Sequence, residues 1–224
     1  MRRMFQQISG RYVLMNRIIT FGRDAAWRRL LVESASVPEG GLLLDVGSGT
    51  GDVLLRALRQ DSLLRPVALD LTPEMMEVGR RRRGAGRILW CCGHALGLPF
   101  PDQFFDCVVS AYLLRNVVDV RAALREQIRV VKRGGRVAVL DTSPPPPGLL
   151  RPLVIFHLRF VIPFLGRVIA RNRRAYEYLP SSTRTFLQPE ELARILEGEG
   201  LREVRFRRLM LGTQVLLTGT RREG

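Results

Sequence analysis

From residue 42 onward the chain alternates short apolar runs with segments of helical spacing, and that alternation leaves few folds open. The runs are LLLDV (42–46), PVALD (66–70), RILWCC (87–92), FDCVVS (105–110) and RVAVLD (136–141). Each is too short for a buried helix and dominated by apolar residues, so each predicts a strand buried on both faces. Strands of that kind, joined by helices, give an α/β fold with a doubly wound parallel sheet. A helix from about Pro189 to Glu199 and two more strand candidates, VRFRRLM (204–210) and TQVLLTG (213–219), follow. The expectation is therefore a seven-stranded, mostly parallel sheet flanked by helices.

The flanks of this core read differently. Val13, Leu14, Ile18, Trp27, Leu30 and Leu31 recur with helical spacing and predict an N-terminal helical cap over residues 1–37. The proline run Pro144 to Pro147 closes the fifth strand and opens an apolar, arginine-studded insertion over 144–188. One domain is expected, with a cap (1–37), a core (42–141), the insertion (144–188) and a final helix and strands (189–224).

The first strand runs into DVGSGTGD, where Gly47, Gly49 and Gly51 occupy alternate positions. Loops this dense in glycine let another group approach the backbone closely. In an open α/β sheet the first strand–helix turn lies at the carboxyl ends of the strands, where ligands bind. A dinucleotide site wants G-x-G-x-x-G, yet the third glycine position here is Asp52. Asp45 and Asp52 at the two ends of the loop disfavour a pyrophosphate. They favour the amino and sulfonium groups of S-adenosylmethionine, which is cationic at its reactive centre. The expected cofactor set is Asp45, Gly47, Ser48, Gly49, Thr50, Gly51 and Asp52 from the loop. Asp70 and Leu71 at the end of the second strand, with Asp70 placed to accept from both ribose hydroxyls, continue it. His94 and Ala95 beside the adenine and Ser110 at the end of the fourth strand complete it.

Cys91, Cys92 and Cys107 form no C-x-x-C pair, and only His94 and His157 accompany them, so no metal site is expected. The two adjacent cysteines read as buried strand residues. The net charge is +15, and Lys132 is the one lysine among 36 basic residues. Such lopsided arginine usage points first to coding bias and a solvated surface, then to a membrane-facing role, and last to nucleic acid. Aromatic residues are 7% and are not interleaved with arginine into a stacking platform, so no specific nucleic-acid partner is expected. The N-terminus carries no apolar segment like that of a signal peptide, and Arg159 and Pro163 break the longest apolar stretch. A cytoplasmic protein is expected.

The chain resembles the quinone-biosynthesis C-methyltransferases, the demethylmenaquinone methyltransferases and their ubiquinone-pathway relatives, over nearly its whole length. The matching stretches include YVLMN (12–16), WRRL (27–30), DVGSGTGD (45–52), LPFPDQFFD (98–106), LRNVVD (114–119), RVVKRGGRVAVLD (129–141), YEYLPSSTRTF (176–186) and GTQVLLTG (212–219). His94 stands where the family usually has Asn or Asp, Asp141 where it has Glu, and Leu114 replaces a glycine. An acceptor role for His94 toward adenine requires a neutral imidazole and implies weaker cofactor affinity at low pH. The alternative is that His94 caps a turn.

The resemblance implies a Rossmann-like class I methyltransferase fold, with N-terminal helices and a helical insertion after the fifth strand. It implies methyl transfer from S-adenosylmethionine to a ring carbon of a polyprenylated quinol, with S-adenosylhomocysteine as product. Arg115 is then expected to stabilise a developing oxyanion. Asn116 and Tyr12 orient the hydroxyl or a bridging water, and Asp141 with a bound water is a candidate base. The competing reading of Arg115 is a helix-start ion pair with Asp119. Leu149, Leu150, Ile155, Phe156, Phe160, Ile162, Phe164 and Leu165 are expected to line a groove for the prenyl tail. Arg151, Arg159 and Arg167 would meet lipid phosphates in a peripheral contact with an anionic membrane. Tyr176, Tyr178 and Ser182 are expected to close over the quinol, and a homodimer is left open. The alternatives are methylation of a ubiquinone precursor or phospholipid head group, and a basic RNA-binding protein or RNA methyltransferase.

Overall fold

In the computed structural model, residues 20, 22–149, 151–161 and 186–223 are described. Strands β1 (Leu42–Val46), β2 (Arg65–Asp70), β3 (Leu89–Cys92), β4 (Phe105–Ala111) and β5 (Val131–Thr142) pair in parallel with one another. Strands β6 (Leu201–Leu209) and β7 (Gln214–Arg221) follow, and β7 pairs antiparallel with both β5 and β6. The order across the seven-stranded sheet is β3-β2-β1-β4-β5-β7-β6. Strand order reverses between β1 and β4, which opens a crevice above their carboxyl ends.

Side-chain alternation divides the core into two layers. Leu43, Ala68, Ala138 and Leu140 pack with helices α1 (Asp24–Ala35) and α2 (Asp52–Gln60). Leu44, Val67, Leu69, Val137 and Val139 pack with α4 (Val120–Val130) and α6 (Pro189–Gly198) on the other side. The period of two therefore assigns each strand residue to one helical layer. Helix α3 (Pro73–Arg80) follows β2, and a short α5 (Arg151–Phe156) continues into a wider turn over His157–Val161.

One strand departs from the sequence expectation. Among the described residues β3 is an outer strand that pairs with β2 alone, and its burial pattern shows that it is not buried on both faces. Leu89 is 68% exposed, Cys92 is exposed and Cys91 half-buried. An apolar run reads the same at an edge as at the centre, because sheet order is set by tertiary pairing. Trp90 of this strand packs inward against the glycine loop. A Cβ on Gly51 would lie 2.7 Å from its ring, and one on Gly79 would lie closer still.

Candidate functional site

A cavity of about 320 Å³ lies at the carboxyl ends of β1, β2 and β4. The three loop glycines all have left-handed backbones, with φ of +75° at Gly47, +55° at Gly49 and +75° at Gly51. The groups pressing on them are not all ligand. A Cβ on Gly47 would lie 2.9 Å from Leu113, and the neighbour of Gly51 is Trp90. Gly49, which lines the cavity as Gly47 does, is the least crowded of the three: the nearest atom to such a Cβ is the Met75 methyl at 3.4 Å.

Of the sequence-predicted cofactor residues, Asp45, Gly47, Ser48, Gly49, Thr50, Asp52, Asp70, Leu71, His94 and Ala95 line the cavity. Gly51 does not line it; the residue N-caps α2. Ser110 does not line it either. β4 parity turns its side chain into the α4 layer, where it is fully buried. On the substrate side Asn116 lines the cavity, whereas Arg115 and Asp141 do not. Tyr12, Val13, Leu14, Ile18, Leu150, Ile162, Phe164, Leu165, Arg167, Tyr176, Tyr178 and Ser182 fall outside the described residues.

Three carboxylates surround the loop in different electrostatic states. Asp45 is 1% exposed, and neither of its oxygens has a hydrogen-bond partner among the described residues. Burial, with Asp70 and Asp52 adding to it and Arg28 opposing, pushes its pKa up to about 8. Asp52 is also pushed up by burial, but Arg28 and Arg82 outweigh that and hold it below the usual carboxylate range. Arg82 Nη1 donates to Asp52 Oδ1 (2.7 Å), the Thr50 carbonyl (3.0 Å) and Thr50 Oγ1 (3.3 Å). Asp70 accepts from the Gly49 amide (2.7 Å) and the Thr72 amide (2.8 Å). Burial raises its pKa, and those two amides offset part of the rise.

His94 uses Nδ1 to accept from the Leu96 amide at 3.1 Å, which caps the turn. A neutral imidazole in that arrangement carries its proton on Nε2. The nitrogen left for a ligand is therefore a donor, and the acceptor role expected toward an adenine amino group does not fit this arrangement.

Just past the fourth strand lies Tyr112, a residue that the sequence reading missed. Tyr112 has φ +59°, a strained value for a non-glycine residue, and its amide donates to the Leu140 carbonyl at 2.7 Å. Asn116 Nδ2 donates to the Tyr112 carbonyl at 2.7 Å. The guanidinium of Arg115 lies 5.3 Å from the Tyr112 ring centroid and that of Arg28 lies 5.6 Å from it. Tyr112 and Arg28 both line the cavity, as do Thr72, Met75 and Leu113. The position of Tyr112 just past a strand end, and of Arg28 within WRRL, were the available signals.

Arg115 pairs with Asp141, at 3.8 Å from Nε to Oδ1, and its amide donates to Asp141 Oδ2 at 3.4 Å. The alternative pairing with Asp119 is overturned: Asp119 N-caps α4 by accepting from the Ala122 amide at 2.9 Å. Burial raises the pKa of Asp141, with Arg115 and the amides of Thr142, Arg115 and Leu114 opposing. Asp141 does not line the cavity and contacts Arg115 through both carboxylate oxygens, a geometry that holds the Arg115 side chain and backbone in place.

The donor set fits S-adenosylmethionine on its own terms. Asp45, a buried carboxylate with no hydrogen-bond partner among the described residues, faces a cavity whose glycine loop leaves room at Gly49, and a ligand ammonium there would satisfy it.

Comparison with known proteins agrees with this geometry. Residues 1–221 match the model of the ubiE/COQ5 methyltransferase family. The chain is 41% identical over 211 residues to the ubiquinone/menaquinone biosynthesis C-methyltransferase UbiE of Desulfotalea psychrophila, covering 94% of this chain and 86% of that protein. It is 40% identical over 222 residues to a demethylmenaquinone methyltransferase of Roseiflexus sp., covering 98% and 92%. Among solved structures, a SAM-dependent methyltransferase from Thermotoga maritima superposes with a TM-score of 0.68 at 20% identity, covering 99% of each chain, which shows a shared fold. The match to the family model and the identity with these relatives, both spanning nearly the whole chain, establish that the protein belongs to the ubiE/COQ5 methyltransferase family.

Proposed function

We propose that this protein transfers a methyl group from S-adenosylmethionine to a ring carbon of a polyprenylated quinol, converting demethylmenaquinol to menaquinol. The observation that carries the cofactor reading is Asp45, a buried carboxylate facing the cavity with neither oxygen partnered among the described residues. The substrate reading rests on the names borne by relatives at 40–41% identity over nearly the whole chain. The bound cofactor supplies an electrophilic methyl group on a sulfonium.

The chain's own residues bind and orient. Asp45 would hold the ammonium, and the lone pairs of Asp70 not used by the loop amides would meet the ribose. A ring carbon becomes nucleophilic only as a neighbouring hydroxyl loses its proton. Asn116 lines the cavity with its amide oriented by Tyr112, which suits it to orient that hydroxyl. Arg115 contributes positive charge from behind the Tyr112 ring, and Asp141 fixes its position.

A peripheral membrane contact belongs to the same reading, because a prenylated quinol resides in a bilayer. Leu153, Phe156 and Phe160 are 63%, 55% and 55% exposed, beside the exposed Arg151 and Arg159. Among the described residues no helix is long and apolar enough to cross a membrane. Apolar side chains flanked by arginine suit an anionic surface.

The test is incubation with methyl-labelled S-adenosylmethionine and reduced demethylmenaquinone, followed by product mass. A gain of one ring methyl is expected. Transfer to a phospholipid head group with no quinol product would overturn the substrate reading.

A further inference from the structure

Helix α1 presents a buried stripe of Trp27, Arg28, Leu31, Val32 and Ala35. An arginine within an apolar stripe, 7% exposed, is expensive to bury without compensation. Its surroundings supply that compensation. Asp45 shares the strand face of Leu43, which packs against α1 and α2, and Asp52 begins α2. Both carboxylates feel the Arg28 charge, and Tyr112 stacks within 5.6 Å of it. Among the described residues Arg28 is the one arginine or lysine that lines the cavity.

The topology also orders the ligand. Asp70, at the end of β2, and His94, just after β3, lie toward one side of the cavity. Asp45, Tyr112 and Arg28 lie toward the other, at β1, β4 and the α1 layer. With the ribose at Asp70, the amino-acid end of the cofactor falls at Asp45. An α-amino acid carries its carboxylate on the same carbon as its ammonium. Asp45 and Asp52 repel such a carboxylate, so a site that grips the ammonium needs a cation close by. A guanidinium offers a planar fork of donors matched to a carboxylate.

We infer that Arg28 binds the carboxylate of the cofactor's amino-acid end, so that Asp45 and Arg28 together read its zwitterion. This inference rests on the S-adenosylmethionine reading above. Arg28 thus becomes a cofactor-binding residue contributed by the helix that precedes the sheet.

The test is calorimetric titration of the protein, without quinol, using three probes. These are S-adenosylmethionine, its decarboxylated form, and 5′-methylthioadenosine, which lacks the amino-acid end. Wild-type protein should bind S-adenosylmethionine about 10- to 100-fold more tightly than the decarboxylated form, as for loss of one charged hydrogen-bonded pair. Arg28→Met should bring those two ligands level and leave methylthioadenosine within about twofold of wild type, and Arg28→Lys should keep part of the difference. The wild-type ratio and Arg28→Lys carry the test if Arg28→Met fails to fold. Equal weakening of all three probes by Arg28→Met, or an unchanged ratio, overturns the inference. Wild-type binding without discrimination between the first two probes overturns Arg28 alone. Folded wild-type protein that binds none of the three overturns the cofactor reading itself.

Discussion

Arg115 Nε lies 3.8 Å from Asp141 Oδ1, and the two side chains are 8% and 0% exposed. An ion pair this deep holds together because each charge compensates the other. Removing one partner strands the second. Asp141→Ala should therefore destabilise the fold by about 3–5 kcal/mol, as for other broken buried pairs. Replacing both, by Asp141→Leu with Arg115→Met, should recover much of that loss while turnover stays low. Urea unfolding of the single and double variants checks both expectations. Equal stability of Asp141→Ala and wild type would show that the pair does not hold the fold.

Asp45 gives the protein a pH signature. The folded chain retains this proton up to about pH 8, against 3.8 for an ordinary Asp. Stability without ligand therefore falls as pH rises through that window and is flat above it. Asp45→Asn should raise Tm above wild type at pH 8 and by much less at pH 4.5. Thermal melts at the two values decide it.

Cofactor binding should run the opposite way. An ammonium prefers the ionised carboxylate, so wild-type affinity should rise with pH between about 6 and 8, by at most tenfold per unit. Asp45→Asn should remove this slope and weaken binding at least about tenfold. His94→Ala should retain the slope. A flat wild-type profile would remove the role given to Asp45.

Gly51 combines a left-handed backbone with the Trp90 ring only 2.7 Å from where a Cβ would sit. Gly51→Ala should destabilise by about 1–3 kcal/mol through strain and overpacking. Trp90 emission should shift in the same variant. Adding Trp90→Phe should relieve the packing part and leave the backbone part.

Arg82 ties Thr50 to Asp52 through three short hydrogen bonds. The pair is partly exposed, at 33% and 23%, so its contribution to global stability is small. Arg82→Gln should leave Tm nearly unchanged while weakening S-adenosylmethionine about 3- to 10-fold through a looser loop. Faster hydrogen exchange at the loop amides should accompany that loss. Weaker binding with unchanged exchange would point to a different cause.

Phe156 and Phe160 face solvent with ring centroids 5.1 Å apart. Changing both to Asp should reduce sedimentation with anionic liposomes at least about tenfold, from lost apolar burial and added repulsion. Turnover on a short-tailed, soluble quinol should stay at the wild-type value.

The central strands were legible because β1, β2 and β4 are flanked on both sides by helices, and doubly buried strands lose every polar residue except at their ends. β3 misled for the same reason. Its apolar residues RILWCC carry no mark of lying at the edge. The loop glycines correctly announced a close approach, but the approaching groups, Leu113 and Trp90, come from distant segments. Asp119 lies four residues from Arg115 and made an attractive local partner. The real partner, Asp141, is 26 residues away and brought near by pairing of β4 with β5. Local spacing cannot express such a contact. Arg28 was hidden in a stripe that looks like any core-facing helix.

The two-layer parity of the sheet has an evolutionary consequence. Asp45 and Arg28 belong to the α1–α2 layer, while Asp141 falls on the α4 side with Val137 and Val139. On the roles proposed for Asp45, Arg28 and Asp141, mutations that repack one layer would retune the grip on the methyl donor without disturbing the layer that supports the acceptor chemistry. Tyr112, within 6 Å of a guanidinium from each group, is the contact shared by the two. A lineage changing its acceptor can therefore keep its donor site intact, provided that tyrosine position is preserved.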